Sequence, residues 1–336
     1  MRAFRKSLAS IERRAGGIRS FRGYRWFRRA AVGALALALA AASTEEVCER
    51  RAQAALTAGE TFVAVSGARL RYQTLGLERA GPLVVLLPGL GASIEQMRFL
   101  QPRLAETVRT LSYDRAGYGF STGSDAHTAE EQAKELAALL DALNLPGTLV
   151  LVGYSTSALV ARVFAALNPA RVAAVYLVEP DHPEFEARAR ARPTPRRGYV
   201  RWVVHDLVTT TFGVKRLAAR LAARHDAHQA PAEARANEVL VRRRHFWALA
   251  REWYVLPDSF AQAMAAPVGA EPIVVLYTAQ SDPEFPLQER LLAEFVRRSP
   301  RGRIRKLPNH PHDQLFMPGP VLDAIVEDVS ALASAH

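Results

Sequence analysis

Leu149-Val150-Leu151-Val152-Gly153-Tyr154-Ser155-Thr156-Ser157-Ala158 is the stretch on which the rest of the chain turns. Residues 149–152 form an unbroken apolar run, as expected of a strand covered on both faces. Gly153 leaves room for a tight turn, and residues 156–167 then suit an apolar helix. A serine held on such a strand-to-helix turn has its hydroxyl pushed out at the C-terminal edge of the sheet. The helix start behind it offers free N–H groups and a positive dipole end to a developing oxyanion. The plain alternative is a serine that only caps the helix. The spacing is Gly-x-Ser-x-Ser: Ser157 stands where a second glycine is usual, and a small residue there still permits close packing. Ser155 is therefore expected to be a nucleophile.

Outward from this stretch the chain alternates. Residues 61–65 and 68–74 flank Ser66-Gly67 and predict a β-hairpin. Strands are expected at 83–87, 108–113, 149–153, 172–178, 273–278 and 303–307, and helices at 94–106, 127–143, 156–167, 287–298 and 320–333. Strands separated by helices mean a mostly parallel sheet covered on both faces. The rhythm breaks over 180–267, a helical stretch that holds Trp202, Trp247 and Trp253 and reads as a lid inserted into the sheet domain. Its Phe185, Tyr199, Trp202, Phe212, Phe246, Trp247 and Tyr254 are candidates to line a pocket, and Arg242-Arg243-Arg244 reads as a solvated helix face.

Two further segments belong with the serine. Leu86-Leu87-Pro88-Gly89-Leu90-Gly91 follows the first buried strand, where glycines let backbone amides face the nucleophile. The Leu90 and Thr156 N–H groups are the expected oxyanion-hole pair. Ser112-Tyr113-Asp114-Arg115-Ala116-Gly117-Tyr118-Gly119-Phe120-Ser121 follows the next strand.

Together, P-G-x-G, D-R-x-G-x-G-x-S and G-x-S-x-S after successive strands resemble the α/β-hydrolase superfamily over residues 60–335. The version SYDRAGYG-aromatic-S is similar to bacterial members with an N-terminal membrane segment. The resemblance implies an α/β-hydrolase fold, a mostly parallel central sheet with helices on both faces and a helical lid. It implies a structural role for the D-R-x-G-x-G-x-S turn. It implies an acid after the strand that follows the lid, hence Asp282 in Ala279-Gln280-Ser281-Asp282-Pro283, with Glu179 as rival and Asp181 behind it. It also implies a base after the last strand, in Lys306-Leu307-Pro308-Asn309-His310-Pro311-His312-Asp313-Gln314-Leu315. His312 is favoured there and His310 stays open. The chain order Ser155, Asp282, His312 is the order this fold imposes. Serine at the elbow argues against dehalogenases and epoxide hydrolases, which use aspartate at that position.

Composition and charge set the remaining bounds. The chain has 336 residues, 49% hydrophobic and 23% charged, and a net charge of +11. Residues 1–29 carry ten Arg or Lys against one acid, so the remainder holds only +2, which argues against a nucleic-acid partner. The basic tail runs into the uncharged stretch 30–43, AAVGALALALAAAS, in the manner of a signal peptide or signal anchor. The expected organisation is a tail and anchor over 1–43, a polar linker over 44–59, a hydrolase core over 60–179 and 268–336, and the lid over 180–267. The body is expected outside the cytoplasm, membrane-anchored or secreted. Cys48 is the single cysteine, so no intramolecular disulfide exists. No cofactor or metal is expected. The expected activity is hydrolysis of a carboxylic ester or acyl substrate through an acyl-enzyme. Amidases, aminopeptidases and C–C hydrolases share the triad, and a non-catalytic binding scaffold is the alternative of another class.

Overall fold

The computed structural model describes residues 21–123, 127–184, 195–223, 231–279 and 285–336. Its elements are α1 (Phe21–Leu56), β1 (Thr61–Val65), β2 (Ala68–Leu75), β3 (Leu83–Leu87), α2 (Leu100–Ala105), β4 (Arg109–Tyr113), α3 (Ala129–Ala142), β5 (Leu149–Tyr154), α4 (Ser157–Leu167) and β6 (Val172–Val178). They continue with α5 (Pro195–Thr211), α6 (Val214–Ala223), α7 (Pro231–Leu240), α8 (Arg243–Ala265), β7 (Ile273–Thr278), α9 (Phe285–Val296), β8 (Arg303–Leu307) and α10 (Pro320–Ser334).

The strands form one eight-stranded sheet in the order β1-β2-β4-β3-β5-β6-β7-β8. The β1–β2 and β2–β4 pairs are antiparallel, and every later pair is parallel. Strands β3, β5, β6 and β7 are buried at every position, because helices cover both faces. Two apolar clusters result. One lies under α3, α4 and α8 and includes Leu136, Leu140, Leu159 and Phe260. The other lies under α2 and α10 and includes Leu100, Leu104, Leu322 and Ile325. Residues 94–106, expected as one helix, divide into a 3-10 turn (Ile94–Met97) and α2.

Register brings the loops to one edge. Leu87 pairs with Gly153, Tyr154 with Val178, Val178 with Leu276, and Thr278 with Leu307. The turns after β3, β5, β6 and β8 therefore open side by side at the C-terminal edge, where open α/β sheets build their sites.

The D-R-x-G-x-G-x-S segment after β4 is a buried knot. Asp114 Oδ1 accepts from Ile94 N–H at 2.8 Å, Oδ2 accepts from Phe120 N–H at 2.9 Å, and Ser121 Oγ donates to the Asp114 carbonyl at 2.6 Å. Gly119 has a φ of 52°, and a Cβ there would lie 2.1 Å from Asp114 Oδ2. Only glycine fits both restraints.

Glu135 on α3 is buried beneath this knot and accepts from the Ala116 N–H at 3.1 Å. Burial pushes its carboxyl up to about 7, against the pull of that N–H and of Arg115. A raised carboxyl binds protons in the folded state that the unfolded chain has already released. Stability therefore falls as pH rises from about 4.5 to about 7. Glu135→Gln keeps an acceptor for Ala116 and removes the charge. We expect it to stabilise the protein by up to about 3 kcal/mol at pH 8 and to leave stability at pH 4.5 nearly unchanged, read by urea denaturation at both pH values.

Helix α1 has no break at residue 43. The apolar stretch and the polar linker expected after it form one 36-residue helix, about 54 Å long. It is long and apolar enough to cross a membrane, with only 6% of its most apolar window buried. Its polar end docks on the helices inserted between β6 and β7. Arg242 Nε and Nη2 reach Glu49 at 3.3 Å and Gln53 at 2.6 Å, and Arg243 reaches Glu46 at 2.5 Å. Arg242 is thus buried rather than part of a solvated face. Only Arg244 of the three arginines stays exposed.

Candidate active site

Ser155 sits between β5 and α4 with a φ of 53°, the left-handed region that a non-glycine residue rarely enters. Its N–H donates to the Val178 carbonyl at 3.0 Å, so the turn is tied to the neighbouring strand. A Cβ on Gly153 would come within 3.0 Å of Ala158 Cα and the Ser157 carbonyl, so a side chain there would force α4 off β5.

His312 begins a short 3-10 turn after β8. Its Nε2 lies 3.2 Å from Ser155 Oγ, and its Nδ1 is hydrogen-bonded to Glu179 Oε2. The Tyr154 ring stacks on the imidazole at 4.8 Å, and the Tyr154 hydroxyl donates to the His312 carbonyl. His310 Nδ1 lies instead on the Pro311 carbonyl at 3.2 Å. The structure therefore brings together Ser155 and His312, and sets His310 aside.

Glu179 follows β6 directly, with a φ of 41° that turns its side chain back towards the site. Its Oε1 accepts from the Thr278 N–H at 3.2 Å and from the Thr278 hydroxyl. A carboxylate that accepts on both oxygens fixes the imidazole proton on Nδ1 and leaves the Nε2 lone pair to Ser155. Asp282, the acid expected from the resemblance, lies outside the described residues; Glu179 occupies the position beside Nδ1. Asp181 accepts from the Thr156 hydroxyl at 2.8 Å.

Leu90 and Thr156 stand at the two loops that flank the serine. Among the described residues neither N–H has an acceptor, whereas the Gly89 N–H is taken by Gln96 Oε1 at 3.0 Å. The loop after β3 is held at its carbonyls. Ser157 Oγ donates to the Pro88 carbonyl, and Arg115 Nη2 donates to the Gly89 carbonyl at 2.9 Å. Ser157 is thus more than a tolerated replacement for glycine: its hydroxyl ties the helix behind the nucleophile to the opposite loop.

Arg115 is itself pinned by Gln132 at 2.7 Å and by Glu252 of α8 at 3.1 Å. Burial works against its charge, but Glu252 and its neighbours outweigh this and hold the guanidinium above its ordinary value. Tyr118 donates to the other Glu252 oxygen. Seven residues earlier on α8, His245 accepts from the Gly119 N–H on Nδ1 at 3.1 Å and donates from Nε2 to the Gly91 carbonyl at 3.0 Å. Burial pulls the His245 imidazole down to about 4, so it is neutral, as these two bonds require. Sequence reasoning missed Gln96, His245 and Glu252. The available signal was spacing: His245, Glu252 and Ser259 recur every seven residues, on one face of α8. Ser259 and Gln262 accept from the Ala129 and Glu130 N–H groups at 2.9 Å each, at the start of α3.

The lid aromatics do not converge on the serine as a set. Phe246 is buried against Trp202 at 5.5 Å, whereas Tyr254 is 77% exposed. Phe185 and the Tyr199 side chain lie outside the described residues.

Similarity to known proteins agrees with this architecture. The sequence is 34% identical over 130 residues to the pimeloyl-[acyl-carrier protein] methyl ester esterase of Sodalis glossinidius (strain morsitans). That match covers 38% of this chain and 48% of the esterase, so the chain spans about half of that relative's length. Among solved structures, Cfl2 of Burkholderia cenocepacia superposes with a TM-score of 0.61 at 21% identity, over 82% of this chain and 95% of that one. The enol-lactonase of Burkholderia xenovorans LB400 gives 0.56 at 19% identity, over 82% and 100%. At such identities these two carry the fold alone. The sequence model described as "alpha/beta hydrolase fold" matches residues 82–293, from the start of β3 into α9. The chain belongs to the α/β-hydrolase family.

Proposed function

We propose that this protein is a serine hydrolase that cleaves carboxylic esters through Ser155, His312 and Glu179, with the Leu90 and Thr156 amides as oxyanion hole. The observation that carries the reading is the unbroken line of contacts from Ser155 Oγ through His312 to Glu179, with the serine on a left-handed turn. His312 Nε2 takes the Ser155 proton as Oγ bonds to the ester carbonyl carbon, whose π electrons move to oxygen. Glu179 holds the ring's orientation and stabilises the imidazolium. The tetrahedral oxyanion lies against the two amides, at the positive end of α4. Collapse expels the alkoxide, which takes the proton from Nε2, and water then releases the acid by the same steps in reverse.

Substrate class rests on less. The Sodalis glossinidius relative is named for cleavage of a methyl ester, which supports an ester over an amide or a C–C bond. For location, α1 is proposed to span a membrane, with the basic tail in the cytoplasm and the hydrolase body on the far side.

A fluorophosphonate probe tests the centre directly. We expect full-length protein to be labelled on Ser155, His312→Ala to be labelled only after prolonged exposure, and His310→Ala to be labelled like the parent. Absence of labelling in the unmodified protein would favour a binding scaffold. Labelled protein that hydrolyses p-nitrophenyl amides but not p-nitrophenyl esters would move it to the amidases.

A further inference from the structure

Helices α5 and α6 of the lid leave an apolar stripe open. Val200, Val204 and Val208 recur every four residues along α5, and Val214, Leu217 and Leu221 continue on α6. Each is between 46% and 59% exposed. The stripe is flanked by the exposed cations Arg201 and Arg220. Apolar residues on one face beside Lys or Arg are the composition of a helix that lies in a membrane interface.

What covers the stripe follows from where α1 meets the lid. The apolar part of α1 ends at Ser43. Glu45, about 3 Å further along the helix axis, is paired with Arg216 of α6 at 2.8 Å, both side chains being 5% exposed. The α5–α6 junction approaches the same point: a Cβ on Gly213, whose φ is 72°, would lie 2.8 Å from Glu45 Oε2. The adjacent Glu46 and, one turn on, Glu49 pair with Arg243 and Arg242. These contacts fix the junction of the two striped helices at the level where α1 leaves its apolar segment.

We infer that the α5–α6 face lies in the headgroup–acyl boundary of the bilayer that α1 crosses, so that the lid is a membrane-seated element and not a free flap. This rests on the proposed spanning role of α1. The buried Glu45–Arg216 pair holds the depth, the valines and leucines enter the acyl boundary, and Arg201 and Arg220 meet anionic headgroups.

The test uses the full-length chain with Cys48→Ser, an environment-sensitive fluorophore on Leu217→Cys, and phosphatidylcholine–phosphatidylglycerol vesicles. Glu327→Cys, at an exposed position of α10, is the reference site. We expect the protein to float with the vesicles, the Leu217→Cys emission to shift to the blue, and brominated lipids to quench about half of it, with little quenching at Glu327→Cys. Adding Val204→Glu and Val208→Glu should remove most of that quenching without releasing the protein from the vesicles. Protein that floats with equally weak quenching at both sites overturns the inference while the anchor stands. Protein that does not float overturns the anchor and the inference with it. Neither readout depends on hydrolysis, so both stand apart from the assignment of the triad.

Discussion

If the proposed triad holds, Glu179→Gln is expected to lower kcat for ester hydrolysis by about 10⁴-fold while the fold stays intact. The reason lies in the partners of the two carboxylate oxygens. Thr278 presents its N–H and its hydroxyl to Oε1, so a glutamine places its carbonyl oxygen there. Its amide N–H group then faces His312 Nδ1, which must become the acceptor. The imidazole proton moves to Nε2, the atom 3.2 Å from Ser155 Oγ, and the ring can no longer take the serine proton. Steady-state kinetics on p-nitrophenyl butyrate, with near-UV circular dichroism to check folding, reads the effect. Asp282→Asn is the matched control, expected within about threefold of the parent. A large loss in Asp282→Asn and a small one in Glu179→Gln would return the acid to Asp282. The serine and histidine assignments would be untouched.

The second large effect is on stability. Glu252→Ala is expected to cost about 3–5 kcal/mol, because it strands the Arg115 guanidinium in a dry interior. Arg115 and Glu252 are 3% and 2% exposed in their side chains, and Glu252 also accepts from Tyr118. Gln132 and the Gly89 carbonyl remain as neutral partners, too weak to replace a carboxylate. The double variant Arg115→Met with Glu252→Leu should lose less than the sum of the two single changes, since removing both charges removes the uncompensated one. Urea denaturation of the four proteins measures the coupling. Additive losses would mean that the pair does not act as a unit. The same variants should lower kcat, because Arg115 holds the Gly89 carbonyl next to the Leu90 amide.

Both expectations concern residues that the linear sequence reveals unequally. Glu179 was legible only as a rival, as the residue that ends a buried strand. Strand position alone does not state which carboxylate reaches the histidine. That depends on the turn after β6, where a left-handed φ reverses the side chain, and on Thr278 from β7, which is distant in sequence and adjacent in the sheet. Glu252 was not singled out in the linear sequence. Its partner lies 137 positions away, and only docking of α8 on the core brings them together.

The strands, the helices that follow them and the elbow serine were written in local patterns: unbroken apolar runs, glycines at turns and helical stripes. Such signals act over a few residues, so they survive without tertiary context. The same locality explains why the sequence left His310 open beside His312. The two are two positions apart on one loop, and only the packing of Tyr154 and Glu179 around the ring separates them. It also explains why α1 was expected as an anchor followed by a separate linker. Composition changes at residue 43, but the backbone continues in one helix, because Glu45, Glu46 and Glu49 find arginines on the lid. The sequence by itself determined the fold and the identity of the elbow serine, since both rest on short-range periodicity. Tertiary structure decided that His312 and Glu179 stand in line with Ser155 and what ties the inserted helices to α1, since those depend on distances between residues far apart in the chain.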